Sequence, residues 1–311
     1  MHFSVNATER NDVIKELNAK FGIDGVMNFE KGLGGLPRAV VKNARSSAEI
    51  YLHGAHITAF CPRGGRPVLW MSDIAEFRTG KAIRGGIPVV WPWFGPHPTD
   101  GSLPQHGFAR VSNWSVFSTR ALPDGSTEIG MRLQDDESTR ALWPHPFQLE
   151  LRAVVGAELR VELRARNTGT DPVEVGGALH TYFLVGDCGV ISIDGLDGRK
   201  YLDQLDEHKI KRTTGTVTVS GEVDRIYVDT DDQCVIDDPG MERWIRVAKM
   251  GSRTTVVWNP WIEKSRRMAD FPDDGYRSMV CIEAANAAGD TTRIPPGGEH
   301  TLSQTITEEP F

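Results

Sequence analysis

The stretch Phe147–Arg166, FQLELRAVVGAELRVELRAR, decides the fold. Leu149, Leu151 and Ala153 alternate with Gln148, Glu150 and Arg152, and after Gly156-Ala157 the alternation resumes. There Leu159, Val161, Leu163 and Ala165 are interleaved with Arg160, Glu162, Arg164 and Arg166. Successive strand side chains point to opposite faces, so each run carries one apolar and one charged face. Two such runs around a tight Gly-Ala connection predict an antiparallel hairpin, Phe147–Val155 with Glu158–Arg166, buried on one side and wet on the other.

Working outward, similar short runs recur on both sides of the hairpin. They are Ile57–Phe60, Pro88–Trp91, Thr127–Leu133, Val173–Leu179, Val190–Ile193, Thr216–Val219, Ile226–Val228, Trp244–Ala248, Thr254–Trp258, Met279–Glu283 and Thr301–Ile306. Only one segment reads as a helix. In Thr8–Phe21 the residues Val13, Ile14, Leu17 and Phe21 fall at helical spacing, and Gly22 is placed to stop it. Many strands and one helix predict an all-β, large antiparallel sandwich. There is no strand–helix alternation, GxGxxG fingerprint, Walker A loop, repeat period or low-complexity linker. A short N-terminal helical extension, residues 1–35, followed by one β-sandwich domain, 36–311, is the expected organisation.

Composition narrows the function. The 311 residues carry a formal net charge of −7 with 25% charged residues, which disfavours a nucleic-acid partner. An anionic small molecule would meet a repelling overall field, so arginines near its site would have to draw it in. The four cysteines, Cys61, Cys188, Cys234 and Cys281, are scattered singly, which supports neither a zinc site nor a disulfide scaffold. No signal peptide and no membrane span is read, and a cytoplasmic location is expected. His53 and His56 would point to opposite faces of a strand, so they are not read as a metal pair.

Five stretches concentrate polar residues beside Gly, Pro and aromatics: IRGGIPVVWPWFG (83–95), LPQHGFAR (103–110), ALHTYF (178–183), EVDRIY (222–227) and WNPWIEKSRRMADFPDDGYRSMVCIE (258–283). Together, in this order and spacing, they resemble the hexose-6-phosphate mutarotase (glucose-6-phosphate 1-epimerase) branch of the aldose 1-epimerase family. The resemblance extends from about Ala48 to the PPGGEH segment, 295–300. It implies a galactose-mutarotase-like β-supersandwich, a phosphosugar substrate, no cofactor, no metal, a sugar pocket on one sheet and a monomer.

His180 can move a proton near neutral pH. In LHTYF it occupies the place of the family's general acid, which protonates the ring oxygen as the sugar opens. Glu283 ends an apolar run, which should desolvate it and make it a better base. In CIE it matches the family's general base, which takes the anomeric hydroxyl proton. The resemblance further implies sugar contacts at Gln105, His106 and Asp224. His106 either orients the ring or shares proton delivery. Trp258 is the aromatic residue expected near the pocket, whereas Trp91, Trp93, Phe94 and Trp261 read mostly as core. Arg84 and Arg110 have the fork geometry that grips phosphate, and the phosphate-specific branch carries arginines at these places. Lys264 and Ser265 could add donors.

The predicted activity is interconversion of the anomers of a hexose 6-phosphate. Three rivals stand beside it. A glycoside hydrolase or lyase would need two opposed carboxylates and would leave His180 idle. The others are a non-catalytic carbohydrate-binding regulator and a mutarotase for unphosphorylated aldoses.

Overall fold

The structure is a computed structural model and describes residues 7–311. The helix spans Ala7–Phe21, close to its expected bounds. Its C-terminal part is tied down by Asn18, which exchanges hydrogen bonds of 2.7 and 2.8 Å with the backbone of Phe29.

Two short helices, Glu137–Leu142 and Trp261–Ser265, depart from the single helix expected; apart from 3₁₀ turns, the remaining regular structure is antiparallel sheet. The Phe147–Val155 and Leu159–Asn167 strands pair in register from Phe147 opposite Asn167 to Val155 opposite Leu159. Their connection is one residue longer than expected, Gly156 to Glu158, closed by a bond from the Gly156 amide to the Glu158 carbonyl. On the charged face Glu150 receives Arg132 and Arg164 at 2.7 Å each, so the outer side is held by ion pairs across three strands.

This hairpin lies in an eight-stranded sheet with the order Ser192–Asp194, Cys234–Asp238, Arg243–Met250, Glu299–Pro310, Leu159–Asn167, Phe147–Val155, Thr127–Gln134 and Ser115–Ala121. A second sheet of eight runs Lys209–Arg212, Lys200–Asp203, Val223–Tyr227, Thr254–Asn259, Met279–Asn286, Gly177–Leu179 and Val89–Val90, and Tyr182–Leu184 also pairs with Met279–Asn286. A four-stranded sheet, Met27–Lys31, Pro37–Lys42, Ser46–Tyr51 and His56–Pro62, completes the frame. One continuous apolar core runs through these layers and includes Val257, Ile282, Leu149, Leu302 and Ile306. The all-β supersandwich expected from the sequence is the observed fold.

Two expected strands differ. Val173–Leu179 is two strands, Val173–Val175 against Thr292–Ile294 and Gly177–Leu179 in the second large sheet. The chain changes sheets at Gly176, whose amide bonds the Pro92 carbonyl. Thr216–Val219 forms no strand, and only Val217 bridges to Ile193. Both readings followed hydrophobicity, which marks burial without saying which neighbour supplies the hydrogen bonds. No helix among the described residues is long and apolar enough to cross a membrane.

Candidate active site

His180 sits where a strand is interrupted. Gly177–Leu179 and Tyr182–Leu184 both pair with Met279–Asn286, Leu179 opposite Ala284 and Tyr182 opposite Cys281. Continuing that register sets His180 directly opposite Glu283, although the ladder is broken between them. The His180 amide turns to the Pro88 carbonyl and the Thr181 amide to that of Leu179. A buried polar group orphaned by such a break needs another partner. Gln304, fully buried on the other large sheet, supplies one: its Nε2 donates to the Ile282 carbonyl at 3.1 Å and its Oε1 accepts the Thr181 hydroxyl.

Residues directly opposite in antiparallel strands share a face. Asp224 faces Trp258, Trp258 faces Cys281, and Cys281 faces Tyr182. Glu283 is two residues from Cys281, so it lies on the same face, in the next row. The register thus gathers Asp224, Trp258, Tyr182, Glu283 and His180 on one side of one sheet, although they come from distant parts of the sequence.

The His180 Nε2 lies 3.4 Å from Glu283 Oε1, and both side chains are almost wholly buried. The His180 Nδ1 and Glu283 Oε2 have no hydrogen-bond partner among the described residues. Burial, then His106, Arg110 and Arg84, hold His180 well below the usual histidine range. Burial and the neighbouring Asp224 push Glu283 well above the usual carboxylate range, against Arg110. Both shifts favour the uncharged forms of the two groups.

His106 is aimed by an unusual turn. His106 and Gly107 have φ of 65° and 70°. A side chain at Gly107 would place Cβ 2.0 Å from the Trp91 carbonyl, so this position requires glycine. The His106 Nδ1 accepts the Gly95 amide at 3.2 Å, which leaves the proton on Nε2. Burial, then Arg110 and Arg84, lower His106 to about 3, and it stays neutral. Its ring centroid is 5.8 Å from that of His180.

A cavity of about 260 Å³ is lined by Lys81, Arg84, Gln105, Arg110, Tyr182 and Asp270 among others; the pair itself is not in its lining, and Tyr182, which stacks on His180, joins the two. Arg84 is clamped: its Nε and Nη2 donate to the two Asp270 oxygens at 3.2 and 3.3 Å, and its Nη1 donates to the Tyr182 hydroxyl at 3.0 Å. Arg110 donates to the Gln105 carbonyl at 2.7 Å and has no carboxylate within 4.0 Å among the described residues. Burial drops Arg110 to about 10, and the like charge of Arg84 adds to that while the Tyr182 oxygen opposes it. Asp270 and Glu283 also favour its charge. The structure brings the two predicted arginines to one cavity and leaves Arg110 without a direct ion pair there among the described residues. Gln105 lies exposed at its edge.

Trp258 meets His180 edge-on, with ring centroids 6.1 Å apart. Lys264 stands 5.7 Å over the Trp258 ring and bonds Glu222 at 2.9 Å and Asp224 at 3.4 Å. Desolvation raises Asp224 despite Lys264. Trp91 and Trp93 are core, as read. The Ser265 hydroxyl is spent on the Trp261 carbonyl. His53 and His56 point their Nε2 atoms at the carbonyls of Lys81 and Gly85, at 2.7 and 2.8 Å.

Sequence reasoning passed over Tyr182, Asp270, Glu222 and Gln304. The first two lie inside the quoted LHTYF and MADF stretches, and Glu222 opens EVDRIY, so the signal was present. Their parts depend on a stacked ring, an ion pair and a lysine reach that no spacing announces. Gln304 carried no signal beyond being a polar residue in an apolar strand pattern.

Comparison with known proteins gives the family and supports the fold. The family model for aldose 1-epimerase matches residues 37–307. A protein of Escherichia coli (strain K12) provisionally named a glucose-6-phosphate 1-epimerase is 38% identical over 86% of this chain and 88% of its own. A Cenchrus ciliaris protein of the same provisional name is 36% identical over 85% and 82%. The crystal structure of a provisionally named mutarotase (YeaD) from Salmonella typhimurium superposes with a TM-score of 0.87 at 34% identity, covering 96% of this chain and all of that one. A galactose 1-epimerase from Lactobacillus acidophilus shares the fold at a TM-score of 0.66 and 13% identity, over 91% and 98%. The chain belongs to the aldose 1-epimerase family, and it is an isomerase of the mutarotase type.

Proposed function

We propose that the protein interconverts the α and β anomers of a hexose 6-phosphate, with glucose 6-phosphate as the substrate. The observation that carries this reading is an acid–base pair in contact, His180 Nε2 to Glu283 Oε1 at 3.4 Å, joined through Tyr182 to a cavity lined by Arg110 and the clamped Arg84. The relatives' names point the same way.

The chemistry follows from the sugar. The anomeric hydroxyl and the ring oxygen share one carbon, so the base and acid that serve them must be neighbours. Glu283 takes the hydroxyl proton, the bond from C1 to the ring oxygen breaks, and the ring oxygen takes a proton from His180. The open aldehyde turns about C1–C2 and presents its other face. On closure the ring hydroxyl attacks C1 and returns its proton to His180, while Glu283 gives its proton to the new anomeric oxygen. Protons balance over the cycle. Each positioned transfer contributes about 10²–10⁴-fold.

His106, neutral with its proton on Nε2, donates a hydrogen bond that orients the sugar. Gln105 and Asp224 take sugar hydroxyls, and Trp258 supplies an apolar wall. Arg110 and Arg84 grip the phosphate in fork geometry. They supply locally the attraction that a chain of net charge −7 lacks overall.

The test is direct. Freshly dissolved α-glucose 6-phosphate is followed by polarimetry, or by coupling to a dehydrogenase specific for the β anomer. Protein added at micromolar or lower concentration should speed equilibration well beyond the buffer rate, and a rate equal to buffer would sink the reading.

A further inference from the structure

We propose that the Arg84–Arg110 cavity is an activator site: an inorganic oxyanion dianion lodged there, with no covalent link to the sugar, accelerates anomer interconversion of an unphosphorylated aldose at His180 and Glu283. This inference rests on the reading of the catalytic pair given above.

Three observations support it. The first is the shared wall. Tyr182 accepts from Arg84 Nη1 through its hydroxyl, and its ring stacks on the His180 imidazole, with centroids 4.9 Å apart and planes 9° apart. One side chain therefore spans from the guanidinium to the catalytic histidine. The second is charge. Asp270 balances Arg84, and nothing among the described residues within 4.0 Å balances Arg110. Lys81, Arg84 and Arg110 against Asp270 leave the lining with an excess of positive charge that a dianion neutralises. The third is space, since about 260 Å³ accommodates a tetrahedral oxyanion and several waters.

The coupling has a definite direction. Ring opening needs the proton of the pair on His180 and the charge on Glu283. The charged and titratable groups around the pair are His106 from the 103–110 segment, Arg84 and Arg110 from the cavity, Tyr182 from the strand that follows His180, Glu283 opposite it and Asp224 acting on Glu283. Both guanidiniums act against a proton on His180, whereas only Arg110 acts on Glu283. Arg110 acts in the same sense on both groups and Arg84 on His180 alone, so it is an anion drawing on Arg84 that favours a proton on His180 over one on Glu283. The anion thereby favours the form of the pair that opens the ring. On this account the phosphate of a phosphosugar does more than anchor it, and free sugars turn over slowly because the anion is missing.

The experiment uses the whole protein, α-glucose and inorganic phosphite at fixed pH, with ionic strength held by chloride. Phosphite itself catalyses mutarotation in solution, so the enzyme-free rate at each concentration is subtracted. Phosphite should raise kcat/KM for glucose along a saturating curve by about tenfold or more, one decade of the roughly 10²–10⁴-fold of a positioned proton transfer. The same ion should competitively inhibit turnover of glucose 6-phosphate, because both claim one cavity. Arg110→Lys should weaken both effects and Arg110→Ala should remove them. A flat or falling glucose rate while glucose 6-phosphate is still turned over overturns this inference and leaves the proposed function standing. Undiminished activation in Arg110→Ala places the ion elsewhere and overturns it as well. Turnover of neither sugar overturns both.

Discussion

Replacing Gln304 by Met tests whether the broken strand under His180 is held from the opposite sheet. Gln304 is fully buried, and its amide satisfies the Ile282 carbonyl and the Thr181 hydroxyl, both on residues almost inaccessible to water. Met keeps the volume, and a swap of that kind by itself costs less than about 1.5 kcal/mol. It leaves two buried polar groups without partners, at about 1–3 kcal/mol each, so the loss is about 2–6 kcal/mol. At about 2 °C per kcal/mol for a large domain, the melting temperature falls by about 4–12 °C. Thr181 adjoins His180, so kcat for glucose 6-phosphate, measured by polarimetry well below the melting range, should fall while KM stays near wild type. Adding Thr181→Val removes one orphaned group and should recover part of the stability, which a double-mutant cycle reads as coupling between the two sites. A melting temperature within about 1 °C of wild type, or losses that simply add, would refute the clasp.

Two further outcomes follow from the site. Glu283→Gln should lower kcat by about 10²–10⁴-fold with KM largely kept. The same variant should gain stability relative to wild type as pH rises. The folded-state value of Glu283 is raised above its usual 4.5, so its favourable contribution is complete below that pH and is lost as pH climbs toward the folded value. Thermal melts at pH 5 and pH 8 should show the difference growing with pH, and a constant difference would contradict the buried, protonated carboxyl. Arg110→Ala removes a charge-assisted contact of about 1.5–3 kcal/mol, so kcat/KM for glucose 6-phosphate should fall about 10–100-fold, with free glucose much less affected. Equal losses for both sugars would reject the phosphate contact.

Much of this molecule was legible in its sequence, for identifiable reasons. The hairpin at Phe147–Asn167 was readable because one buried face imposes strict alternation on side-chain polarity. Thr216–Val219 misled because an apolar segment can be buried against a sheet without joining its ladder. Arg84, Gln105, His106, Arg110, His180, Asp224, Trp258 and Glu283 were nominated from motif resemblance, and the structure brings them to one region. What the sequence could not show was their mutual arrangement. The cross-strand placement of His180 and Glu283 follows from a pairing register set by the residues around them. The Arg84–Asp270 clamp and the Tyr182 stack join residues far apart in the chain, so no local pattern encodes them.

The strand that carries Glu283 has neighbours on both sides within an eight-stranded sheet, and His180 enters from one of those neighbours. A residue in that position cannot fray the way an edge or a terminus does, because releasing it means parting the sheet along its length. The backbone amides of the Glu283 strand are therefore expected to be among the slowest to exchange with solvent, which hydrogen exchange would read. Anomer interconversion and the folded state should then be lost together on heating, and activity lost well before the melting transition would show that the pair can part while the sandwich survives.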